Sequence, residues 1–329
     1  MDVDCGFRLR FMGRYVCFSN RLAELGKLLE MARRGLSVPL VVYGPEGCGK
    51  TSLLRYLYRE LAGLYDYVVY YSPIHGADEG LISAEDVKKA VVSLARVIGG
   101  ELVTAVAEAV LALGEVFAKR LGVRRAGSIA ILLDDVFQAV GNVELYVKKA
   151  LTAMEHPPLE VDRTFMLIAS SKGASLEAVG RHLWTNIKTL WNLDREGFEE
   201  LVKQIEGLDA DQLWRATGGN PRAVELLSDE AWSEEEVVEK MYKARKVDME
   251  LLSKHRDAVE EAVADPDSLS KAPEELTRHL ISKNLVIRII DPLRPVEKSR
   301  ELGVGEEYAW QTPLHRKVVE LALRRLHSG

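Results

Sequence analysis

The chain contains the octapeptide Gly44-Pro45-Glu46-Gly47-Cys48-Gly49-Lys50-Thr51, which matches the pattern G-x-x-x-x-G-K-[ST] at every fixed position. This pattern is typical of a phosphate-binding loop. The apolar segment 38–43 precedes it and is rich in β-branched residues, and the residues from Ser52 onward have helical spacing. The sequence therefore predicts a strand, a loop and a helix in the order that such a loop requires.

The residue types in this loop account for how it would bind a nucleotide. Glycine lets backbone N–H groups curl around phosphate oxygens, and the helix that follows directs the positive end of its dipole toward the same anion. We expect Lys50 to reach the β- and γ-phosphates and the Thr51 hydroxyl to ligate Mg²⁺. The predicted nucleotide-binding set here comprises the eight loop residues and Ser52.

A second motif lies at 128–135, where an apolar run ends in Asp134 and Asp135. A buried parallel strand that presents carboxylates at its tip is the Walker B pattern, in which Asp134 would hold Mg²⁺ through water and Asp135 would orient or activate the attacking water. An ordinary turn after a strand is the alternative, but the position after a complete phosphate loop favours the nucleotide site. A similar run at 164–172 predicts another strand, whose Ser170 hydroxyl could sense the γ-phosphate or could belong to an ordinary serine-rich turn.

Length and composition limit the classes of protein that fit. A chain of 329 residues predicts two or three domains, and 47% hydrophobic with 29% charged residues is typical of a soluble globular protein. The net charge of −6 argues against a uniformly basic surface that wraps nucleic acid. A local basic face remains compatible with this charge.

The cysteines and the apolar segments indicate a cytoplasmic location without membrane contact. Of three cysteines, one lies in the phosphate loop, and Cys5 and Cys17 have no zinc-site companions at usable spacing, so we expect no disulfide framework and a reducing compartment. Residues 1–4 do not begin a signal peptide, and the longest apolar stretch, 102–113, is too short and too polar to span a bilayer.

The remaining patterns predict an α/β domain followed by helices. We expect at least five parallel strands with helices between them, and then helices only from Asp194 onward. The predicted elements are a hairpin over 7–18, a helix over 21–34, a strand over 67–71, two helices within 84–121, an apolar segment at 187–193, and later helices over 233–245, 248–264 and 273–283.

Three domains follow from this order: a P-loop domain over 1–193, a small helical lid over 194–231, and a C-terminal domain over 232–329. In the C-terminal domain, strands at 285–290 and 308–311 would form a β-hairpin beside three helices. Three helices with a hairpin wing are the winged-helix arrangement, a variant of helix-turn-helix.

Four stretches together resemble the archaeal ATPase family within the STAND branch of AAA+-related P-loop NTPases. They are 18–25, the phosphate loop, 133–138 and Gly218-Gly219-Asn220-Pro221-Arg222. The resemblance covers nearly the whole chain and implies an ATPase domain, a helical lid and a C-terminal winged helix. It also implies that the nucleotide is ATP or ADP with Mg²⁺.

The resemblance also implies roles for single residues outside the loop. It places Asn20 and Arg21 beside the nucleotide base and Pro221 near adenine. Arg222 becomes a candidate sensor that reports phosphate to the lid, and a residue within 170–172, with Ser170 first, falls at the position of the family's first sensor.

One departure from the family pattern bears on the rate of hydrolysis. Family members often have Asp-Glu at the end of the Walker B strand, whereas this chain has Asp134-Asp135, whose second acid is shorter by one methylene. No arginine finger is identifiable in the sequence, and such a residue contributes about 10³ to 10⁵ in rate. We therefore expect slow ATP hydrolysis by the isolated chain.

These observations favour an Mg-ATP-dependent molecular switch with slow ATPase activity. A DNA-binding ATPase is the alternative, because basic residues lie in the predicted recognition helix and wing, although acidic residues are interleaved with them. A signalling or defence scaffold that forms homo-oligomers on binding ATP is a further alternative. The basic residues in question are Arg278, His279, Lys283, Arg288, Arg294, Lys298 and Arg300.

Overall fold

The structure is a computed structural model that describes residues 5–18, 20–72, 125–138, 142–156, 160–173, 175–183 and 186–328. The two helices predicted within 84–121 lie outside the described residues. The chain divides into two compact units. The helical unit comprises 1–21, 44–49 and 189–329, and the sheet unit comprises 22–43 and 50–188.

The helical unit begins with a β-hairpin. Strands β1 (Arg8–Phe11) and β2 (Arg14–Cys17) pair antiparallel around a two-residue turn, in which Met12 and Gly13 have φ angles of 49° and 74°. Positive φ at both turn residues suits the right-handed twist of the two strands. The predicted hairpin over 7–18 is confirmed.

Cys5 and Cys17 form a disulfide at the open end of this hairpin. The expectation of a chain without disulfides is therefore wrong, because pairing depends on how two strands bring their Cβ atoms together, which a cysteine count does not show. The cytoplasmic location inferred from the cysteines loses this support and stays a prediction. No helix in the described ranges is both long and apolar enough to cross a membrane.

The sheet unit is built on a five-stranded sheet with the strand order β4-β5-β6-β3-β7. The β4–β5, β5–β6 and β3–β6 pairs are parallel. Most strand residues are buried apolar side chains, as is typical of parallel sheets. The α/β fold predicted from the sequence is confirmed. The strands are β3 (Leu40–Tyr43), β4 (Tyr67–Tyr71), β5 (Arg125–Asp134), β6 (Glu160–Ser170) and β7 (Ile187–Thr189).

The parallel register sets the ends of three strands side by side. Tyr43 at the end of β3 pairs with Ser170 of β6, and Asp134 at the end of β5 pairs with Ala169. Because parallel strands end at one edge of the sheet, residues that follow these strands are neighbours. The helices of the sheet unit are α1 (Leu22–Arg34), α2 (Lys50–Leu61), α3 (Val143–Glu155) and α4 (Ser175–Leu183).

The rest of the helical unit contains helices and one further β-hairpin. Its strands β8 (Val286–Arg288) and β9 (Tyr308–Trp310) pair antiparallel. The helices are α5 (Arg195–Val202), α6 (Ala210–Thr217), α7 (Pro221–Asp229), α8 (Glu234–Arg245), α9 (Met249–Lys254), α10 (Arg256–Ala264), α11 (Glu274–Ser282) and α12 (Pro313–Ser328), with a 3₁₀ turn at Pro266–Ser270.

One hydrophobic core joins these elements. It contains Phe198, Leu252 and Trp310 together with Phe11 and Val16 of the first hairpin. The N-terminal hairpin therefore packs into the core of the helical unit.

Helix starts and ends in this unit mostly follow the predictions. Asp194 caps α5 through a hydrogen bond from the Gly197 N–H, and Pro221 is the first residue of α7. The single helix predicted over 248–264 is wrong, because the chain breaks at His255 into α9 and α10. The three domain boundaries and the winged-helix interpretation stay predictions.

Candidate functional site

The phosphate loop has the backbone conformation that its glycines allow. Gly47 and Gly49 have φ angles of 77° and 99°, which side chains rarely adopt. A Cβ added at Gly49 would meet no atom within 4 Å, whereas a Cβ at Gly47 would overlap the Cβ of Arg222. Gly49 therefore leaves the loop open on that side, and Gly47 permits the start of α7 to approach closely.

Within the helical unit, three segments hold Glu46 of the loop. The Glu46 N–H donates to the Gln311 side-chain oxygen at 2.9 Å, and the Glu46 carbonyl accepts from the Asn220 amide at 2.9 Å. The Glu46 carboxylate accepts from the Arg245 guanidinium at 2.9 Å. One residue of the loop thus has partners from the start of α7, the end of α8 and the end of β9.

A buried amide network continues from Asn220. Its amide group donates to Asn192 Oδ1 at 2.8 Å, and its own Oδ1 caps α7 by accepting from the Ala223 N–H at 3.0 Å. Asn192 in turn donates to the Gln311 carbonyl at 2.9 Å. Buried polar groups are costly unless they are hydrogen-bonded, so this network specifies one arrangement of the three chain segments.

Arg21 lies against the loop backbone. Its buried guanidinium donates to the Cys48 carbonyl at 2.6 Å, and the Cys48 thiol donates to the Leu190 carbonyl at 3.5 Å. Asn20 packs against the start of α5, where its Cβ would be 2.8 Å from a Cβ built at Gly197. The structure therefore brings Arg21 to the loop, and the predicted role of Asn20 and Arg21 beside a base stays a prediction.

Arg222 follows Pro221 in the first turn of α7. Its guanidinium forms an ion pair with Glu225 at 3.0 Å, and the other Glu225 oxygen accepts from the Met12 N–H at 3.1 Å. The sequence could not predict this partner from the first hairpin. The sensor role of Arg222 and the adenine contact of Pro221 stay predictions.

In the sheet unit, α2 begins with the last residues of the phosphate-loop motif. Lys50 is the first residue of α2 and is buried, and Thr51 and Ser52 lie in the same first turn. Backbone N–H groups in the first turn of a helix have no partner within the helix and attract anions. The loop pattern therefore ends at a helix start, as the motif predicts.

Asp134 is the most buried charged group at the strand ends, with 1% of its surface exposed. The Tyr70 hydroxyl donates to its Oδ2 at 2.9 Å, whereas its Oδ1 accepts no hydrogen bond from any residue that the structure describes. Burial raises the pKa of Asp134, and the neighbouring Thr51 hydroxyl opposes that rise. A buried carboxylate oxygen without a partner, beside a threonine hydroxyl, fits the oxygen ligands that Mg²⁺ prefers.

Asp135 is held differently from its neighbour. Its Oδ1 accepts from the Ser171 N–H at 3.2 Å and from the Ser171 hydroxyl at 3.0 Å. Its φ is 52°, and its N–H donates to the Ala169 carbonyl at 3.0 Å. The Ser170 hydroxyl, the leading sensor candidate, accepts from the Lys172 N–H at 3.2 Å. The end of β6 thus supports Asp135 through Ser171.

The sequence did not predict several residues that lie around Glu46 in the helical unit or around Asp134 in the sheet unit. Tyr70 lies in a correctly predicted strand, but the sequence of that strand does not indicate that the Tyr70 hydroxyl contacts Asp134. Asn192 follows the last strand of the sheet, and Arg245 and Gln311 come from distant helices and strands. A weak signal was available only for Asn192, because polar residues just after a parallel strand lie at the ligand-binding edge.

Comparison with known proteins gives a family and a set of similar folds. A family model described as an ATPase domain predominantly from Archaea matches residues 18–227. A Walker-type ATPase of Pyrococcus abyssi is 13% identical, covers 92% of this chain and 96% of its own, and has a TM-score of 0.46. None of the curated protein sequences matches this chain.

Two further solved structures are similar at comparable levels. The ADP form of the ORC2 protein of Aeropyrum pernix is 13% identical over 93% of this chain and 94% of its own, with a TM-score of 0.48. AMPPCP-bound DnaA from Aquifex aeolicus is 16% identical over 96% of this chain and 90% of its own, with a TM-score of 0.40.

Proposed function

The chain belongs to the family of ATPase domains found predominantly in Archaea, and from that premise we propose that it is an Mg-ATP-dependent molecular switch. As a member of this family it is a P-loop ATPase, which converts ATP and water to ADP and phosphate. The switch, its dependence on Mg²⁺ and its slow turnover are the proposed parts. The bonds of Glu46 to three distant segments are the single observation that carries the proposal.

The proposed binding roles follow the motif. Backbone N–H groups of the phosphate-loop motif would bind the phosphate oxygens, and Lys50 would supply a positive charge for them. Thr51 and Asp134 would hold Mg²⁺, which would supply positive charge for the phosphate oxygens when bound. The unpartnered Asp134 Oδ1 supports this assignment.

The proposed catalytic roles belong to Asp135 and the sensors. Asp135 orients the attacking water, and the Ser170 hydroxyl contacts the γ-phosphate. Arg222 also responds to the phosphate and transmits its presence to α7. Two hydrogen bonds from Ser171 already occupy one Asp135 oxygen, so that this oxygen is less available to an attacking water. This supports slow hydrolysis in the absence of a partner that supplies a further cation.

The switch would act through the bonds of Glu46. Phosphate binding reorganises the loop, and each change at Glu46 alters its bonds with Asn220, Gln311 and Arg245. A ligand shifts a conformational equilibrium only by its different affinity for the two states, and these bonds are a means of producing such a difference. In this proposal, 194–231 is the lid and 232–329 is a winged helix.

Single-turnover phosphate release with Lys50→Ala tests the ATPase site. We expect the rate to fall about 10² to 10³-fold, because the variant lacks the cation that stabilises the phosphate charge in the transition state. Lys203→Ala is the matched control, since Lys203 is an exposed lysine paired only with Glu199 among the described residues. A Lys50→Ala rate equal to that of the wild type would remove the proposed role of the loop.

Hydrogen exchange in the presence of ATP or ADP tests the switch separately. We expect the backbone amides around Asn220 and Gln311 to exchange at different rates in the two nucleotide states. Equal exchange in both states, with normal hydrolysis, would leave an ATPase without the proposed switch.

The alternative of DNA binding through the C-terminal helices has less support. Arg278 pairs with Glu274 at 2.8 Å, Lys298 pairs with Asp267 at 3.2 Å, and Arg294 pairs with an aspartate. Cations that already have acidic partners are less available to phosphates. Oligomerisation on ATP binding remains a separate proposal, tested by the size of the protein in solution with ATP and with ADP.

A further inference from the structure

The N-terminal hairpin carries a cluster of arginines that form no ion pair with any residue that the structure describes. We name Arg8, Arg10, Arg14 and Tyr15 the arginine face. All four side chains are exposed. In the described part of the chain, none of the three arginines has a carboxylate within ion-pair distance, and residues 5–18 contain no acidic residue. The segment therefore has a charge of +3 in a chain whose net charge is −6.

The strand register sets Arg8, Arg10 and Tyr15 on one face of the hairpin. Arg8 and Arg10 are two residues apart on β1 and share a face, and Arg10 is directly opposite Tyr15 on β2. The Arg10 guanidinium lies 5.9 Å from the centre of the Tyr15 ring. The opposed pair Leu9 and Val16 turns to the other face, toward the core of the helical unit. Arg14 is opposite Phe11, so alternation assigns it to the face of Leu9 and Val16, but its side chain is exposed beside the turn and adds a third charge at the edge of the arginine face.

The hairpin is a rigid support for this face. The disulfide closes its open end, and the Gln204 side chain makes two hydrogen bonds with the Cys17 backbone, at 2.6 Å to the N–H and 3.3 Å to the carbonyl. At the turn, the Met12 N–H donates to Glu225. A surface that is held before binding loses little conformational entropy when a partner arrives.

Tyr15 is exposed over 71% of its surface, which is unusual for a large aromatic side chain, and its ring lies beside the Arg10 guanidinium. Proteins that hold single-stranded nucleic acid combine a positive groove for the phosphates with aromatic rings on which bases stack. Arginine suits this task because its planar guanidinium binds phosphate in a bidentate manner. An acidic membrane would also attract the arginines, but the exposed face lacks the apolar residues of a membrane-surface element.

We propose that the arginine face binds single-stranded nucleic acid, with the three arginines on phosphates and Tyr15 stacked on a base. This site differs from the C-terminal one considered above, where Arg278, Arg294 and Lys298 have acidic partners. It also does not use the phosphate loop, so that this proposal can fail while the proposed ATPase switch holds, and the reverse.

Fluorescence anisotropy with a labelled oligothymidylate of about 20 nucleotides tests this proposal. The test variant replaces the three arginines together, Arg8→Gln, Arg10→Gln and Arg14→Gln. We expect its affinity to fall at least tenfold, and the slope of log K against log salt to fall by about 2, because three phosphate contacts each contribute about 0.7 for single strands.

The matched control removes the same charge elsewhere: Lys203→Gln, Lys240→Gln and Lys243→Gln, three exposed lysines of the helical unit. This control should bind within about twofold of the wild type and keep its salt slope. Thermal unfolding and ATP hydrolysis of both triple variants should match the wild type, which shows that the fold and the ATPase site are intact.

Tyr15 variants separate stacking from charge. Tyr15→Ala should weaken binding several-fold with the salt slope unchanged, and Tyr15→Phe should restore it, because the ring and not the hydroxyl stacks on the base. The proposal is overturned if the wild type does not bind the oligonucleotide, if the arginine variant binds as well as the lysine control, or if the wild type binds only vesicles of acidic phospholipid.

Discussion

Asp134 and Asp267 are two shielded carboxylates with opposite surroundings. Asp134 ends β5 in the sheet unit, and within the described ranges its Oδ1 has no hydrogen-bond partner. Asp267 lies in the 3₁₀ turn of the helical unit, and both of its oxygens are saturated. Its Oδ1 accepts from the N–H groups of Glu307 and Tyr308, and its Oδ2 accepts from the Glu306 N–H and the Lys298 ammonium.

The pKa shifts of the two groups differ accordingly. Burial raises the pKa of Asp134. Burial also disfavours ionisation of Asp267, but hydrogen bonds from three backbone N–H groups and Lys298 outweigh it and hold the pKa of Asp267 below its usual value. A carboxylate whose two oxygens both accept hydrogen bonds from the protein stabilises the fold. A carboxylate with one oxygen that accepts none is available to a ligand.

Asp134→Asn should give the largest effect of the substitutions considered, and this effect should be on the rate of ATP hydrolysis. We expect single-turnover phosphate release to fall about 10² to 10³-fold, because the amide no longer offers a charged oxygen to Mg²⁺. The free energy of unfolding in urea should stay the same or rise, since a buried charge with an unpartnered oxygen is removed. A clear loss of stability would show that Asp134 serves the fold, as Asp267 does.

Asp267→Asn should show the opposite pattern. We expect a loss of about 1 to 3 kcal/mol of unfolding free energy, because an amide presents only one acceptor oxygen and its NH₂ group faces N–H donors. Phosphate release should be unchanged. Asp229→Asn is the control, since Asp229 is an exposed aspartate at the end of α7.

The pH dependence of that stability difference sharpens the comparison. Because the pKa of Asp267 is lowered in the folded state, its stabilising contribution is fully present above the unfolded pKa of about 3.9 and is lost as the pH falls through the folded value. The unfolding free energies of wild type and Asp267→Asn should therefore differ at pH 7 and converge in acid. A difference that persists in strong acid would contradict the role of the ionised carboxylate.

Tyr70→Phe should give the smallest effect. It removes the hydroxyl that donates to Asp134 Oδ2, so we expect a stability change of about 1 kcal/mol and a several-fold lower hydrolysis rate at limiting Mg²⁺. Tyr58→Phe on α2 is a control, because no hydrogen bond of the Tyr58 hydroxyl is seen among the described residues. Equal Mg²⁺ dependence in both variants would show that Tyr70 does not position Asp134.

Local features of the fold and site were predictable from the sequence. The phosphate loop between β3 and α2, the strand that ends at Asp134 and the hairpin turn at Met12-Gly13 each depend on contiguous residues. In such segments, glycine φ angles, β-branched runs and helix caps act over a few positions, so that the pattern of the chain determines the conformation.

Partners from distant parts of the chain were not predictable. The bond from Glu46 to Gln311 joins residues 265 positions apart, and the saturation of Asp267 depends on a loop that comes some 39 positions later. The break at His255 and the Cys5–Cys17 disulfide were missed for the same reason. No local pattern states which side chain a polar group will meet after the core has formed.

The sequence by itself determined the type of site: a phosphate loop, a strand ending in two acids, and hence a P-loop ATPase with an α/β sheet. The tertiary structure alone determined which hydrogen-bond partners the side chains of the site have. It bonded Asp135 to Ser171 and Glu46 to distant segments, and among the described residues it placed no hydrogen-bond partner at Asp134 Oδ1 and no carboxylate at the arginine face. The physical reason is that backbone conformation follows from neighbours in the chain, whereas hydrogen-bond partners and burial follow from packing between elements far apart in it.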